Sequence, residues 1–357
     1  TLNPTTGVIS DDSAATPEQR LVALVEPVAH IAWDTLREPD CPFTDKREPW
    51  DAAAFASAVE AENETAAIAR LHGALSEGRA GLENARHALA RAALEHYQDF
   101  GHSAIYVCKA FQLIERLGPS VARPVLQALT RSIIYASRED RIPEFRHYAK
   151  VLSDGPKPHV AIRPFELANL SVNAALERTA ALPGTNEEKY RLLLEASAIQ
   201  MLRFDTMVDA HTDKPVSHNI RWLDYTHMLT FANAIRRHCT AQRDLWPQAL
   251  LQMACFIGRN AAYLERDLDE AWFVKDANQF FATERAALYD HGIREPIFAC
   301  HRVKVLTAVQ EETNWAGDGH LTRTVLAATN RYLHHPIKGH HALRAAHQAL
   351  SFVDAEG

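Results

Sequence analysis

The chain has 357 residues, of which 47% are hydrophobic and 23% charged, and its net charge is −7 at neutral pH. This composition is typical of a globular protein with ample apolar material for a core, arranged as one large domain or two of ordinary size. The acidic balance and the lack of a dense Lys/Arg stripe disfavour nucleic acid and anionic membrane as main partners. An uncharged run of about 18 residues and a basic-then-apolar leader are both absent, so we expect a protein without a membrane span or secretion signal.

Five cysteines are spread widely along the chain, and no two of them form a CxxC pair. Their odd number and wide spacing indicate reduced thiols rather than a disulfide framework, and the missing CxxC pairs argue against a structural zinc knuckle. We therefore expect a cytoplasmic protein. The cysteines are Cys41, Cys108, Cys239, Cys255 and Cys300.

The first 16 residues are small, polar and interrupted by Gly and Pro, which predicts a disordered segment over 1–16. From residue 17 onwards, apolar residues recur at spacings of three and four, with Pro near the starts and Gly near the ends of the runs. Alternating β-branched runs are nearly absent, which argues against a sheet. The pattern predicts one all-α domain over 17–357. The predicted helices are 17–37, 50–75, 81–99, 102–117, 119–136, 143–152, 163–181, 187–207, 217–237, 246–264, 268–289, 295–311, 321–332 and 339–352.

The most informative stretch surrounds His301 and Lys304, in a run from Ile297 to Val309 that is otherwise almost wholly apolar. Side chains three residues apart on a helix are separated by about 60°, so these two lie on one face. The run has too few charges for a solvated helix, which predicts that it is buried. A buried lysine either lowers its pKa or acquires an acidic neighbour, so this pair is a candidate site.

Three further histidines lie inside apolar helical runs: His30, His102 and His227. Taken singly, each is more often a core histidine that is satisfied by a backbone carbonyl. Together with His301 they lie on four different predicted helices, and the interior of a helical bundle is where facing helices bring metal ligands together. We therefore carry all four histidines and Lys304 as candidate metal ligands, with His301 and Lys304 as the candidate catalytic pair.

Two of these histidines follow an aspartate at a spacing of three, as Asp99 precedes His102 and Asp224 precedes His227. Such an aspartate acts either as a metal ligand or as an acceptor that fixes the imidazole tautomer. Chance is the simpler explanation for each D-x-x-H match, because acids and histidines are numerous here. The inward glutamates of a ferritin-like di-iron site are not evident, and no dinucleotide, Walker, GxSxG or HExxH motif is present.

Four segments together resemble the questin oxidase-like proteins, a family that includes fungal anthraquinone-processing oxygenases and bacterial relatives. The segments keep the order of the family motifs H-x-x-I-x-x-x-x-A, a following acidic and Pro-containing segment, H-x-x-T-x-x-x-A-x-R and H-x-x-K-x-x-x-A. They are His102 to Ala110, Ser137 to Asp140 with Pro143 to Arg146, His227 to Arg236, and His301 to Lys304 with Thr307 and Glu311.

The resemblance implies an all-α oxygenase with a mononuclear non-haem iron, held by histidines from separate helices and by a lysine that is carboxylated by CO₂. On this chain the implied ligands are His102, His227, His301 and Lys304, with His30 as the further histidine. The family's N-terminal motif is of an N-H-x-P-M type, whereas this chain has Ala29-His30-Ile31-Ala32. Either His211 or His218 is therefore an alternative to His30.

This resemblance implies Fe(II), O₂ and an aromatic or polyketide-like small molecule of secondary metabolism, with oxygen insertion or ring cleavage as the reaction. Members of the family are also described as NADPH-dependent monooxygenases. Because this chain lacks a dinucleotide fingerprint, we expect NADPH to act from outside as a reductant or to bind atypically. Two alternatives stay open, namely a zinc hydrolase or lyase that uses a carboxylated lysine, and a non-catalytic helical scaffold with core histidines.

Overall fold

A computed structural model of the chain describes residues 15–35, 42–98, 100–138, 141–210, 219–265, 267, 270–293, 295–336 and 342–356. The described residues are predominantly helical and contain no strand beyond one isolated β-bridge between Phe204 and Leu264. The predicted all-α class is therefore confirmed. Residues 1–14 of the segment that we predicted to be disordered lie outside the described residues.

Sixteen α-helices follow one another among the described residues, and short 3-10 turns join several of them. They are α1 (Pro17–Thr35), α2 (Ala52–Glu60), α3 (Glu64–Ser76), α4 (Arg79–Ala93), α5 (His102–Leu117), α6 (Ala122–Ile134), α7 (His147–Asp154), α8 (Pro164–Leu167), α9 (Val172–Ala180), α10 (Asn186–Leu202), α11 (Trp222–Ala241), α12 (Trp246–Asn260), α13 (Ala277–Leu288), α14 (Pro296–Ala316), α15 (His320–His334) and α16 (Ala342–Glu356).

The prediction of one helix over 50–75 was wrong, because the chain breaks between α2 and α3. Glu62 has a φ of 53°, which no α-helix accommodates. Asn63 then starts α3, since its side chain accepts a hydrogen bond from the backbone N–H of Ala66 at 3.1 Å. A cap of this kind leaves the spacing of apolar residues almost unchanged, so periodicity alone did not reveal the break between α2 and α3.

The predicted helix over 163–181 is also two helices, α8 and α9. The reason is a buried glutamine on α10. The side-chain amide of Gln200 donates to the carbonyl of Ala168 at 2.8 Å and to that of Ile257 on α12 at 2.7 Å. The carbonyl at the end of α8 is thus satisfied without a continuing helix.

Helix α11 lies at the centre of the molecule, where it packs against α5, α10, α12 and α14. Most of its residues are buried, including polar ones such as Thr226, Thr230 and Asn233. One apolar cluster extends from Phe55 on α2 to Leu333 on α15, which is the arrangement of a single domain. This central position places the face of α11 that carries His227 between α5 and α14.

The N-terminal helix α1 differs from the central ones, because apolar side chains such as Leu21, Val25 and Val28 are exposed on it. No helix in the described part of the chain has the length and apolar character needed to cross a bilayer. The described cysteines, Cys108, Cys239, Cys255 and Cys300, all carry free thiols.

Candidate metal centre

Three histidine side chains from three helices converge at one point between α5, α11 and α14. One ring nitrogen each from His102, His227 and His301 lies within 4.8 Å of the other two. The ring centroid of His227 is 4.2 Å from that of His102 and 4.9 Å from that of His301. His227 and His301 are buried, whereas His102 is half-exposed, so the cluster is reached from its α5 side.

Lys304 completes this group from the same helix as His301. Its Nζ lies 3.3 Å from the Nε2 of His301, as expected for residues three apart on one helix face. The lysine is only 4% exposed. It forms no ion pair with any described residue, which is unusual for a buried lysine. The structure therefore places His102, His227, His301 and Lys304 together, and their role as metal ligands stays a prediction.

Backbone carbonyls fix the tautomers of two of the rings. The Nδ1 of His102 lies 3.0 Å from the carbonyl oxygen of Gln98, and the Nδ1 of His301 lies 2.6 Å from that of Ile297. A carbonyl can only accept a hydrogen bond, so both Nδ1 atoms carry the proton. Both Nε2 atoms consequently present a lone pair to the centre, which is the arrangement found in histidines that bind metals.

The Nε2 atoms of His227 and His301 are 2.8 Å apart, which is hydrogen-bonding distance. Because the Nε2 of His301 carries a lone pair, the Nε2–H of His227 donates to it in the absence of a metal. Two nitrogens bound to one tetrahedral ion at the usual bond length are separated by about 3.3 Å. Small rotations of the two rings, with the proton of His227 moved to Nδ1, would therefore admit an ion.

Burial dominates the electrostatics of the centre. It lowers the pKa of His227 well below the usual value, and the neighbouring cationic forms of His102, Lys304 and His301 lower it further. Burial, with Lys304 as the next cause, lowers the pKa of His301 to about 3. Burial also lowers the pKa of Lys304 to about 8, since the neighbouring Cys300 only partly opposes it. His227 and His301 are thus neutral donors at neutral pH, and the lowered pKa of Lys304 raises the small fraction of its free amine.

An unusual backbone precedes His102. Gln98 and Phe100 have φ values of 50° and 60°, which non-glycine residues rarely adopt, and Gly101 has a φ of 88°. A Cβ at Gly101 would lie 2.2 Å from the ring of Phe231 on α11, so only glycine allows this close approach. This sharp turn starts α5 and directs its first side chain, that of His102, towards His227.

A buried polar network fixes α14 against α11 and α10, and sequence analysis missed it. Both carboxylate oxygens of Glu312 accept from the Nε of Arg236, at 2.8 and 2.9 Å, and one of them accepts from the hydroxyl of Tyr190 at 2.8 Å. The amide of Asn233 donates to Glu312 and to Glu311, at 2.9 Å in each case. This network sets the register between α11, which carries His227, and α14, which carries His301 and Lys304.

The other predicted site residues do not all join this group. Asp224 is the N3 residue of α11, and its carboxylate accepts from the backbone N–H of Arg221 at 2.7 Å, so it serves the helix start. His30 lies on α1, but its side chain is outside the described residues, as are Asp99, His211 and His218. The described part of the chain therefore provides three imidazoles and one lysine, with no carboxylate among them.

A cavity of about 980 Å³ opens elsewhere, between the start of α4 and the C-terminal end of α5. Its lining includes Arg79, Arg86, Ile114 and Glu115, but none of the four residues of the candidate centre. Since His102 and Ile114 are twelve residues apart on α5, the cavity lies about 18 Å along the helix from the centre. The cavity is thus separate from the centre.

Comparison of the chain with protein-family models, with curated proteins and with solved structures finds no match. The resemblance to questin oxidase-like proteins therefore depends on the four sequence motifs alone.

Proposed function

We propose that the protein is a non-haem metal-dependent oxygenase of the questin oxidase-like type, with Fe(II) as the metal. The observation that carries the proposal is the convergence of three imidazoles within 4.8 Å, beside a buried lysine without an ion-pair partner among the described residues. His102, His227 and His301 would hold the ion. When bound, Fe(II) supplies the binding and reduction of O₂, with external NADPH as the source of electrons.

The charge of the donor set supports a carboxylated Lys304. Three neutral imidazoles leave the charge of a divalent ion uncompensated, whereas non-haem Fe(II) oxygenases ordinarily include one carboxylate ligand. The free amine of Lys304 can attack CO₂, which forms an N–C bond, places a negative charge on oxygen and releases one proton. The product carbamate is an oxygen-donor anion located beside His301. It would replace both the missing carboxylate and the unpaired ammonium.

The exposure of the three histidines indicates from which side O₂ and the substrate reach the centre. His102 is the half-exposed member of the group, so we expect O₂ and an aromatic or polyketide-like substrate to approach from the α5 side. Tyr106 lies one turn further along this face, with its ring 5.5 Å from the ring of His102. An aromatic side chain at that position is suited to packing against an aromatic substrate.

Metal analysis tests the proposal. Wild type, Lys304→Met and the control Lys189→Met, which changes a half-exposed lysine of α10, are loaded with Fe(II) in the presence and absence of bicarbonate. We expect one iron per chain in wild type and in Lys189→Met, and a loss of at least about tenfold in iron affinity in Lys304→Met. A carbamate carbon signal from ¹³C-bicarbonate should be present in wild type and absent in Lys304→Met. Full iron occupancy and an unchanged carbon spectrum in Lys304→Met would contradict the proposal.

Loading with Zn(II), O₂ uptake and the variant His227→Ala extend this experiment to the two alternatives. Neutral imidazoles also suit zinc, so two zinc ions per chain without O₂ uptake would indicate the hydrolase or lyase. If wild type binds no stoichiometric metal and His227→Ala only lowers stability, the helices form a scaffold with core histidines.

A further inference from the structure

The cavity between α4 and α5 has the size of a small-molecule site. Its volume of about 980 Å³ lies at the upper end of the range of about 300–1,000 Å³ that is usual for ligand pockets. Besides α4 and α5, the last turns of α3, the start of α6 and the loop before α2 contribute to its lining. Leu75, Leu82 and Ile114 give it an apolar part, and four arginines give it positive charge.

Two of the four arginines are paired with carboxylates of the same lining. Arg86 lies 2.9 Å from Glu115 and 3.6 Å from Glu83, and Arg123 lies 2.7 Å from Asp45, measured between nitrogen and oxygen. These three acidic residues are the carboxylates that the described lining contains. The negative charge in the lining is therefore already engaged.

The other two arginines, Arg47 and Arg79, have no such partner. Both are exposed in the lining, and neither forms a hydrogen bond or an ion pair with any described residue. Arg79 is the first residue of α4, so its backbone is fixed by the helix. Two guanidinium groups are thus left to bind an anion from solvent.

Arg47 is positioned by a loop that packs closely against α3. The Nδ1 of His72 lies 2.8 Å from the carbonyl oxygen of Lys46 and therefore donates to it. A Cβ at Gly73 would lie 1.9 Å from the carbonyl oxygen of Glu48, so only glycine allows this close approach. Since the residues on both sides of Arg47 are held against α3, the fold itself keeps Arg47 at the cavity.

We propose that this cavity is a second ligand site, which binds the phosphate group of a small phosphate monoester through Arg47 and Arg79. A phosphate monoester carries a charge of about −1.5 to −2 at neutral pH, which matches two unpaired guanidinium groups. Each guanidinium offers a planar fork of N–H donors that fits two phosphate oxygens. The organic part of the ligand would lie against Leu82 and Ile114. None of the residues of the candidate centre lines the cavity, so this inference does not depend on the proposed function.

Calorimetry on the full-length chain tests the inference, with metal-free protein so that iron at the candidate centre cannot hold the phosphate. The probes are 1-naphthyl phosphate, 1-naphthoate, 1-naphthol and inorganic phosphate. We expect 1-naphthyl phosphate to bind at least about tenfold more tightly than each of the other three. The carboxylate has one charge for two guanidinium groups, the phenol has none, and inorganic phosphate lacks the apolar part.

Substitutions locate the binding. Arg47→Met and Arg79→Met should each weaken 1-naphthyl phosphate about tenfold, whereas Arg323→Met, which changes an exposed arginine of α15 outside the lining, should not. Leu82→Ala should weaken 1-naphthyl phosphate and leave inorganic phosphate unchanged. Because Arg47 and Arg79 have no partner among the described residues, we expect their variants to melt at the temperature of wild type.

Three outcomes would overturn the inference. If Arg47→Met and Arg79→Met bind 1-naphthyl phosphate as tightly as wild type, then the cavity is not its site. If Arg323→Met weakens binding as much as they do, then the protein attracts anions only through its surface charge. If 1-naphthoate or 1-naphthol binds wild type as tightly as 1-naphthyl phosphate, then the site does not recognise a phosphate group.

Discussion

Replacing Lys304 by methionine should stabilise the metal-free protein at neutral pH. The pKa of this lysine falls from an ordinary 10.5 to about 8, mainly because it is buried. At about 1.4 kcal/mol for each pH unit between these values, burial of the protonated lysine costs about 3 kcal/mol. Methionine is similar in length and carries no charge, so Lys304→Met removes this cost.

The sign and range of the pH dependence follow from proton binding. Between pH 8 and 10.5 the unfolded chain holds a proton on this lysine and the folded chain does not, so the free energy of unfolding of wild type rises with pH. Below pH 8 both states are protonated, and the full cost is present. The variant also loses the hydrogen bond between Lys304 and His301, which is worth about 1 kcal/mol at any pH. We therefore expect Lys304→Met to be more stable by about 2 kcal/mol at pH 7, and this advantage should disappear by about pH 9.5.

Urea denaturation at several pH values between 7 and 9.5 measures this difference, in buffers with a chelator and without CO₂. Taking the difference between variant and wild type at each pH cancels every other titrating group. A difference that stays constant over this range would refute the reasoning, since it would mean that Lys304 has the same pKa in both states. The reasoning would also be refuted if wild type were more stable than Lys304→Met at pH 7. Adding bicarbonate should stabilise wild type alone, because a carbamate cannot form on methionine.

Two further predictions concern buried positions on α11 and α12. Burial lowers the pKa of His238 to about 4, and the hydrogen bond from this histidine to the carbonyl of Ala104 opposes the shift only partly. Because the unfolded chain binds a proton here at higher pH than the folded chain does, the free energy of unfolding should fall by about 3 kcal/mol between pH 6.5 and pH 4. His238→Gln keeps a donor there without titrating, and urea denaturation should give it a weaker acid dependence; equal slopes for both proteins would contradict the assignment. Gly258→Ala should cost about 3 kcal/mol in the same assay, because its Cβ would lie 2.3 Å from the Cα of Val172, where backbone cannot yield. Gly319→Ala, which has open space around it, is the control and should be close to neutral.

The sequence was sufficient to predict the helical class, and three of its candidate histidines lie together in the structure. His102, His227 and His301 each interrupt an apolar helical run, and such interruptions are visible without a structure. Their mutual contact was not visible, because it depends on the order in which α5, α11 and α14 pack. The resemblance to the questin oxidase-like motifs suggested that these three histidines belong together, and the structure gives the distances between them.

The parts that sequence analysis missed share one physical cause. Glu312 follows Glu311 near the end of α14 and reads as part of a solvated, charged helix end. Only the fold reveals that Glu312 is 2% exposed and held by Arg236. A buried ion pair has no local signature, since its two members are distant in sequence and each alone resembles a surface residue. The same holds for Gln200, whose side-chain amide donates to the carbonyl of Ala168 between α8 and α9.

The burial of Lys304 limits how its positive charge can be removed. Lys304 is almost fully buried beside His301, so its positive charge can be removed only by losing a proton or by becoming a carbamate. A divalent ion that is held by three neutral imidazoles needs a negative charge beside it, and the carbamate would supply one. Substitution of Lys304 should therefore change metal binding, whereas substitution of the half-exposed Lys189 should not.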